Sequence, residues 1–270
     1  MHPMLNVAIK AARRGASVIR HAASKLDGIA IEKKDNDSIV TEVDRTAEEA
    51  IIGVILEAYP THTVLAEESG FHLNQDATYQ WFIDPLDGTT NFIHGHPQYA
   101  VSIALAHENQ IEQAVVYDIE RNNLFTATRG AGAYLNDRRI HVAKHSQLNA
   151  ALLATSIPTF NPNSVHLYFN ILRDMVALQI STRNEGSAVL DLCHVACGQI
   201  DGYFALHLKP WDMAAGALIV QEAGGLITDP YGEDHWQKTG HIVASNPKLL
   251  AQLLHIITPH MVNHMLPLPC

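Results

Sequence analysis

The sequence predicts an α/β protein, and three observations carry that prediction. Two stretches near the N-terminus repeat apolar residues at helical spacing, short apolar runs follow one another from 63 to about 140, and helical and strand patterns alternate beyond that point. With 270 residues and 47% hydrophobic content, the chain can bury a large core, which excludes a disordered polypeptide.

The first helix is read from Leu5, Val7, Ala8, Ala11, Ala12, Val18 and Ile19, and the second from Ala47, Ala50, Ile51, Val54 and Ile55. Between them lies Lys33-Lys34-Asp35-Asn36-Asp37-Ser38, whose charged, turn-forming composition predicts an exposed loop. Strands are predicted at 63–66, 80–83, 99–106, 114–118, 124–128 and 133–135. Helices then follow at 165–177, 187–199, 213–223 and 247–257, interleaved with strands at 179–183, 202–206 and 241–244. The tail from His260 to Cys270, with Pro267 and Pro269, is read as loosely ordered. No linker or repeat divides the chain, so residues 1–147 and 148–270 are expected to be two halves packed as one unit.

Composition excludes several function classes. No stretch approaches the roughly eighteen apolar residues that a membrane helix needs, and the longest candidate, 50–59, is interrupted by Glu57. Lys10, Arg13 and Arg14 stand inside the N-terminal apolar pattern, where a signal peptide keeps its hydrophobic region uncharged. A soluble, cytoplasmic protein is expected. Cys193, Cys197 and Cys270 are too few for a disulfide framework, and the first two fall in an apolar helical pattern as core thiols, in keeping with a reducing compartment.

The formal net charge of −10 argues against a nucleic-acid surface. A phosphorylated substrate would need bound cations to offset the repulsion. Most of the 17 histidines are scattered singly and none has the HExxH spacing, so they read as surface or core residues.

The chemistry concentrates in Trp81-Phe82-Ile83-Asp84-Pro85-Leu86-Asp87-Gly88-Thr89-Thr90-Asn91, where an apolar strand runs into two carboxylates and a small-residue turn. Pro85 restricts one φ angle and Gly88 permits a tight backbone, so Asp84 and Asp87 can converge. Convergent carboxylates suit a hard cation such as Mg²⁺, and the amides after Gly88 can donate to a phosphate. Taken alone, Asp-Pro-Leu-Asp-Gly is equally a type I turn.

Three further segments add acids at element ends. Glu67 closes the apolar run Thr63-Val64-Leu65-Ala66, as a metal carboxylate or a solvated loop acid. Asp212, in Lys209-Pro210-Trp211-Asp212, is an N-cap candidate for the next helix and a compatible metal ligand. Asp44, in Val40-Thr41-Glu42-Val43-Asp44, is favoured by the helix dipole and could partner a hydroxyl that activates water.

Together with Trp211-Asp212-x-Ala214-Ala215-Gly216 and Glu222-Ala223-Gly224-Gly225, these ordered motifs resemble the inositol monophosphatase family of lithium-sensitive, fructose-1,6-bisphosphatase-like phosphatases over nearly the whole chain. The resemblance implies a layered αβαβα sandwich of the sugar-phosphatase type, with a metal site in the cleft between two halves. It implies that Glu67, Asp84 and the Leu86 carbonyl bind one Mg²⁺ and that Asp84, Asp87 and Asp212 bind a second. Thr89, paired with Asp44, would orient the attacking water, while Glu67 helps to hold a third, weaker ion. The substrate side would comprise Asp87, Gly88, Thr89, Arg183, Ser187, Ala188 and Asp212. The implied activity is hydrolysis of a small phosphorylated polyol, nominally myo-inositol 1-phosphate, by direct in-line attack of metal-activated water, in a homodimer.

Two features depart from the family pattern, one of them the loop Lys33 to Ser38, whose spacing differs slightly from the family's usual form in a way that would alter the third metal site. Seven residues before Asp212, where typical inositol monophosphatases carry a glutamate for the inositol hydroxyls, this chain has Ala205, and His207 is the nearest substitute. Fructose 1,6-bisphosphate, histidinol phosphate, NADP or a nucleotide 3′-phosphate are therefore alternative substrates for the same chemistry. Some bacterial proteins similar in sequence act instead as regulatory proteins that contact a transcription elongation factor, a second reading of this chain.

Overall fold

The computed structural model of the chain describes residues 2–24, 31–33, 39–72, 76–158 and 162–264. Residues 34–38, most of the predicted charged loop, and the last six residues of the tail lie outside the described residues.

Helix α1 (Pro3–Ala23) starts at His2 with Pro3 in its first turn, and α2 (Glu42–Ala58) starts at Thr41. Their buried stripes, Leu5, Ala8, Ala12 and Ile19 on one and Val43, Ala47, Ile51 and Ile55 on the other, face a common core. Two short strands, β1 (Ile31–Lys33) and β2 (Ile39–Thr41), pair antiparallel ahead of α2.

An eight-stranded sheet follows, built from β3 (His62–Ala66), β4 (Gly70–His72), β5 (Asp76–Asp87), β6 (Ala100–His107), β7 (Gln110–Asp118), β8 (Asn123–Thr128), β9 (Gly132–Leu135) and β10 (Arg138–Arg139). Its order is β10-β9-β8-β7-β6-β5-β3-β4, antiparallel except where β3 lies parallel to β5. The short helix α3 (Thr89–Ile93) leaves the end of β5. A second sheet has the order β12-β11-β13-β15-β14, from β11 (Leu152–Ser156), β12 (Ser181–Arg183), β13 (Gly202–Ala205), β14 (Leu226–Thr228) and β15 (Ile242–Ser245). The remaining α-helices among the described residues are α4 (Pro162–Ala177), α5 (Ala188–Ala196), α6 (Pro210–Glu222), α7 (Trp236–Thr239) and α8 (Pro247–His264).

Three apolar clusters stack these elements into an αβαβα sandwich. Val101, Ile103 and Leu105 of β6 face α1 and α2, whereas Ala100, Ala104 and Ala106 on its other face meet α5 and α6. Tyr203 and Ala205 of β13 join that second cluster, while Phe204 turns to α4 and α8. The period of two, with both faces buried, explains why these strands read as continuous apolar runs. Helices α5 and α6 lie between the sheets, so α6 is apolar on every side. They approach closely because Gly216 has no side chain: a Cβ there would sit 2.7 Å from Leu192.

Several predicted boundaries move. The strand expected at 179–183 starts at Ser181, because Gln179 takes a left-handed φ of 59° in the turn that closes α4. The helix expected at 187–199 stops at Ala196, and Gly198 follows at φ 74°. The tail is helical as far as His264, pinned to α4 where His260 Nε2 meets Asp174 Oδ2 at 2.8 Å. Strands β1, β2, β4, β10, β11 and β14 fall outside the predicted set; each runs two to five residues. Cys193 is a buried free thiol and Cys197 a half-buried one.

Candidate metal centre

Strand β5 runs between β3 and β6 and ends in Asp84-Pro85-Leu86-Asp87. On a regular strand, residues three apart point to opposite faces. Here Asp84 lies opposite Ser102 and Asp87 opposite Ala100, so three steps along β5 answer two along β6. This β-bulge brings the two carboxylates to one side, and Pro85 is tolerated there because it has no N–H to give to the ladder.

The parallel pairing of β3 delivers the next acid. Ala66 lies opposite Ile83, and the Glu67 amide donates to the Ile83 carbonyl at 3.1 Å, leaving Glu67 beside Asp84. Asp84 is 2% exposed. Burial pushes its carboxyl well above the usual range, reinforced by the negative charges of Glu67, Asp87 and Asp212.

Asp212 arrives from α6. It is not the N-cap: Lys209 takes that place, Pro210 opens the first turn, and the half-buried Asp212, three residues on, accepts the Lys209 amide at 2.8 Å. Pro210 forces this arrangement, since its ring fits the first helical position and has no amide to be capped. Burial, then the charge of Asp87, raises the Asp212 carboxyl well above its ordinary value.

Asp87 is held from the far side. Its Oδ2 accepts Ser187 Oγ at 2.6 Å and the Val189 amide at 2.9 Å, so the start of α5 orients this carboxylate. Burial outweighs these bonds and raises Asp87 to about 6. Ala188 lies between these two donors and is buried, at 8% exposure. Arg183 stands apart: it is exposed, and its guanidinium donates to the carbonyl of its neighbour Thr182 at 2.9 Å.

The chain then turns sharply at Gly88, whose φ of 95° favours glycine and whose added Cβ would lie 2.8 Å from the Gln98 carbonyl. This starts α3 and places Thr89 Oγ1 2.9 Å from Asp44 Oδ1 and 3.1 Å from the Leu86 carbonyl. Asp44 is buried in a capping box with Thr41, whose amide donates to its Oδ2 at 2.9 Å. Desolvation raises the Asp44 carboxyl, opposed by hydrogen bonds from Thr41 and Thr89.

Sequence reasoning gave no role to two residues of this site. Glu48, one helical turn after Asp44 and 2% exposed, accepts the amides of Glu68 and Ser69 with its two oxygens, each at 2.8 Å, and so anchors the turn that carries Glu67. The i, i+4 repeat of acids on a helix face otherwise apolar was the available signal. Asn91 Nδ2 ties the Gln98 and Glu185 carbonyls, each at 2.8 Å, joining α3 to the loop before α5.

Glu67, Asp84, Asp87 and Asp212, with the Leu86 carbonyl alongside, make an all-oxygen donor set whose mutual repulsion a hard divalent cation would relieve. The profile of the inositol monophosphatase family matches residues 1–261. The chain belongs to that family. Among proteins similar to this member, the Nus factor SuhB of Pseudomonas aeruginosa is 47% identical over 266 residues, covering 97% of this chain and 98% of that protein. The crystal structure of the extragenic suppressor protein suhB from Bartonella henselae superposes with a TM-score of 0.92 at 36% identity, over 95% of this chain and 98% of that one. The inositol monophosphatase of Anabaena gives 0.80 at 34% identity, over 94% and 95%.

This inositol monophosphatase family member carries nothing polar at Ala205. The side chain is fully buried in β13. Nor is His207 free to take a glutamate's part: its Nε2 is bonded to Ser164 Oγ at 2.5 Å and its ring packs edge-on against His241.

Proposed function

We propose that this protein is a Mg²⁺-dependent phosphomonoesterase for a small phosphorylated polyol, nominally myo-inositol 1-phosphate. The observation that carries the reading is the convergence of Asp84, Asp87 and Asp212 with Glu67, next to a Thr89 hydroxyl bonded to Asp44. On this reading residues 1–147 and 148–270 are two halves that meet at the site, the first bringing Glu67, Asp84 and Asp87 and the second bringing Asp212 and Ser187.

Glu67, Asp84 and the Leu86 carbonyl would hold one Mg²⁺ and Asp84, Asp87 and Asp212 a second, with Glu67 shared by a third and weaker ion. Bound Mg²⁺ supplies Lewis acidity toward phosphoryl oxygen and lowers the pKa of water. The protein's own part is positioning and proton transfer. With its proton directed to Asp44, Thr89 Oγ1 keeps lone pairs with which to accept a proton from the attacking water while its own passes to Asp44. Burial raises the Asp44 carboxyl and so favours that transfer. Gly88 and Thr89 amides would bind the phosphate, and Ser187 and Ala188 would border it. Arg183 belongs to the substrate side only as an exposed side chain that a substrate or partner subunit could recruit.

A second reading rests on the relatives named Nus factor SuhB: the protein also contacts a transcription elongation factor. A homodimer belongs to both readings, supported by the exposed apolar side chains of Phe169, Val176 and Leu178, and light scattering at two concentrations checks it.

The deciding experiment measures phosphate release from a panel of monoesters, with and without Mg²⁺, for the wild type, Asp87→Asn and Ala205→Glu. The reading expects Mg²⁺-dependent release that Asp87→Asn abolishes, with Ala205→Glu shifting preference toward inositol 1-phosphate. No release of any ester in Mg²⁺ sinks the enzyme reading and leaves the regulatory one. A pull-down of the elongation factor by Asp87→Asn protein separates the two, since retained binding shows a role independent of catalysis.

A further inference from the structure

We infer that Glu185, Asp191 and His194 form a second cation site, distinct from the Glu67, Asp84, Asp87 and Asp212 centre, which takes one divalent first-row transition-metal ion such as Mn²⁺ or Zn²⁺. The starting observation is a carboxylate with no partner. Asp191 is fully buried in α5, beside Val189, Leu190, Leu192 and Cys193, and among the described residues neither of its oxygens has a hydrogen-bond donor. Other buried aspartates are satisfied. Asp118 binds Arg121 through its amide and guanidinium, Asp201 binds His145 and the Leu152 amide, and Asp229 accepts the amides of Tyr231 and Glu233. A buried carboxyl in either protonation state needs partners, so the orphaned oxygens of Asp191 require an occupant.

What surrounds those oxygens identifies it. One oxygen of Glu185 and one ring nitrogen of His194 lie with an Asp191 oxygen inside a group whose ligand atoms are all within 4.8 Å of one another. At bond lengths of about 2.1 Å, two ligands of one ion lie no more than about 4.2 Å apart, so small side-chain rotations close this set. Asp191 and His194 are three apart on one face of α5, and Glu185 comes from the preceding loop.

The second ligand is oriented from outside, as metal ligands commonly are. Gln98 Nε2 donates to Glu185 Oε2 at 2.9 Å while Arg121 donates to Gln98 Oε1 at 3.0 Å, and Asn91 holds the Glu185 carbonyl. The Arg121 guanidinium is itself occupied by Asp118, Gln98 and the Pro97 carbonyl, so it serves as outer support. Burial lowers the His194 imidazole below its ordinary value, opposed by the charge of Glu185, and so favours the neutral form that ligates. Two carboxylates with an imidazole suit manganese or zinc better than magnesium. The site lies directly behind the first, because the same start of α5 supplies the Ser187 and Val189 donors to Asp87.

Crystals of the full chain grown in Mg²⁺ and soaked in MnCl₂ test the inference by anomalous scattering. The expected result is a peak bonded to Glu185, Asp191 and His194, absent from Asp191→Asn crystals, together with a larger Mn²⁺-induced rise in Tm for the wild type than for Asp191→Asn or His194→Gln. Manganese confined to Asp84, Asp87 and Asp212, with only water or nothing at Asp191, overturns it. If the variants do not fold, the wild-type anomalous map alone decides. Neither readout uses phosphate release, so this site stands or falls apart from the phosphatase reading.

Discussion

Thr89 has one hydroxyl proton and two acceptors in reach, Asp44 Oδ1 at 2.9 Å and the Leu86 carbonyl at 3.1 Å, and it can serve only one at a time. On the proposed function, donation to Asp44 would free the Leu86 carbonyl to face a cation and so tie the proton relay to the metal site. Thr89→Ala is therefore expected to lower kcat by about 10²-fold or more with KM little changed, while Thr89→Ser retains most activity; steady-state kinetics at saturating Mg²⁺ checks this. Asp87→Asn keeps the Ser187 and Val189 contacts in shape but removes a charge. Its expected signature is a loss of Mg²⁺ binding by calorimetry, with a fold unchanged by circular dichroism.

Among the elements, α2 does two jobs from one face, since Asp44 reaches Thr89 and Glu48 grips the turn after β3. Glu48→Gln replaces a charged acceptor of two amides by a single carbonyl and an NH₂ that faces a donor. The expected loss is about 2 kcal/mol in urea unfolding, with a raised Mg²⁺ requirement because Glu67 is no longer held. The α5 and α6 pair sets the opposite case. Gly216→Val adds bulk where a Cβ already meets Leu192 at 2.7 Å, so about 1–3 kcal/mol of stability goes while the Mg²⁺ requirement stays unchanged.

At the scale of the molecule, the αβαβα stack places acids from both sheets' connections where they repel one another. Asp84, Asp87 and Asp212 all have carboxyls raised above 3.8 in the fold. Without metal, the folded chain holds protons there that the unfolded chain has released. The stability linked to Asp87 is therefore complete below 3.8 and is lost as pH rises through about 6. On the proposed function, Mg²⁺ would bind the ionised form and reverse that loss. The rise in Tm caused by Mg²⁺ over EDTA should consequently grow as pH climbs through about 6, and a rise that is flat with pH contradicts this account.

How much could be read beforehand depends on how local the cause is. The apolar stripes of α1 and α2, the continuous apolar runs of β6 and β7 and the Asp84 to Asn91 motif were legible because helix period, strand burial and turn chemistry act over a few residues. The sequence by itself also determined the family and the candidate set Asp44, Glu67, Asp84, Asp87, Thr89 and Asp212, since ordered motifs survive without coordinates. Only the tertiary structure decided the rest. The bulge that turns Asp84 and Asp87 to one side depends on β6, the role of Glu48 depends on amides 20 and 21 residues away, and Asp212 gave up the N-cap to Lys209 because Pro210 opens the helix. Asp191 and His194 read as helix and core until the fold closed around them and left two oxygens without a donor among the described residues. Satisfaction of a buried polar group is a property of everything packed around it, and no spacing along the chain contains it.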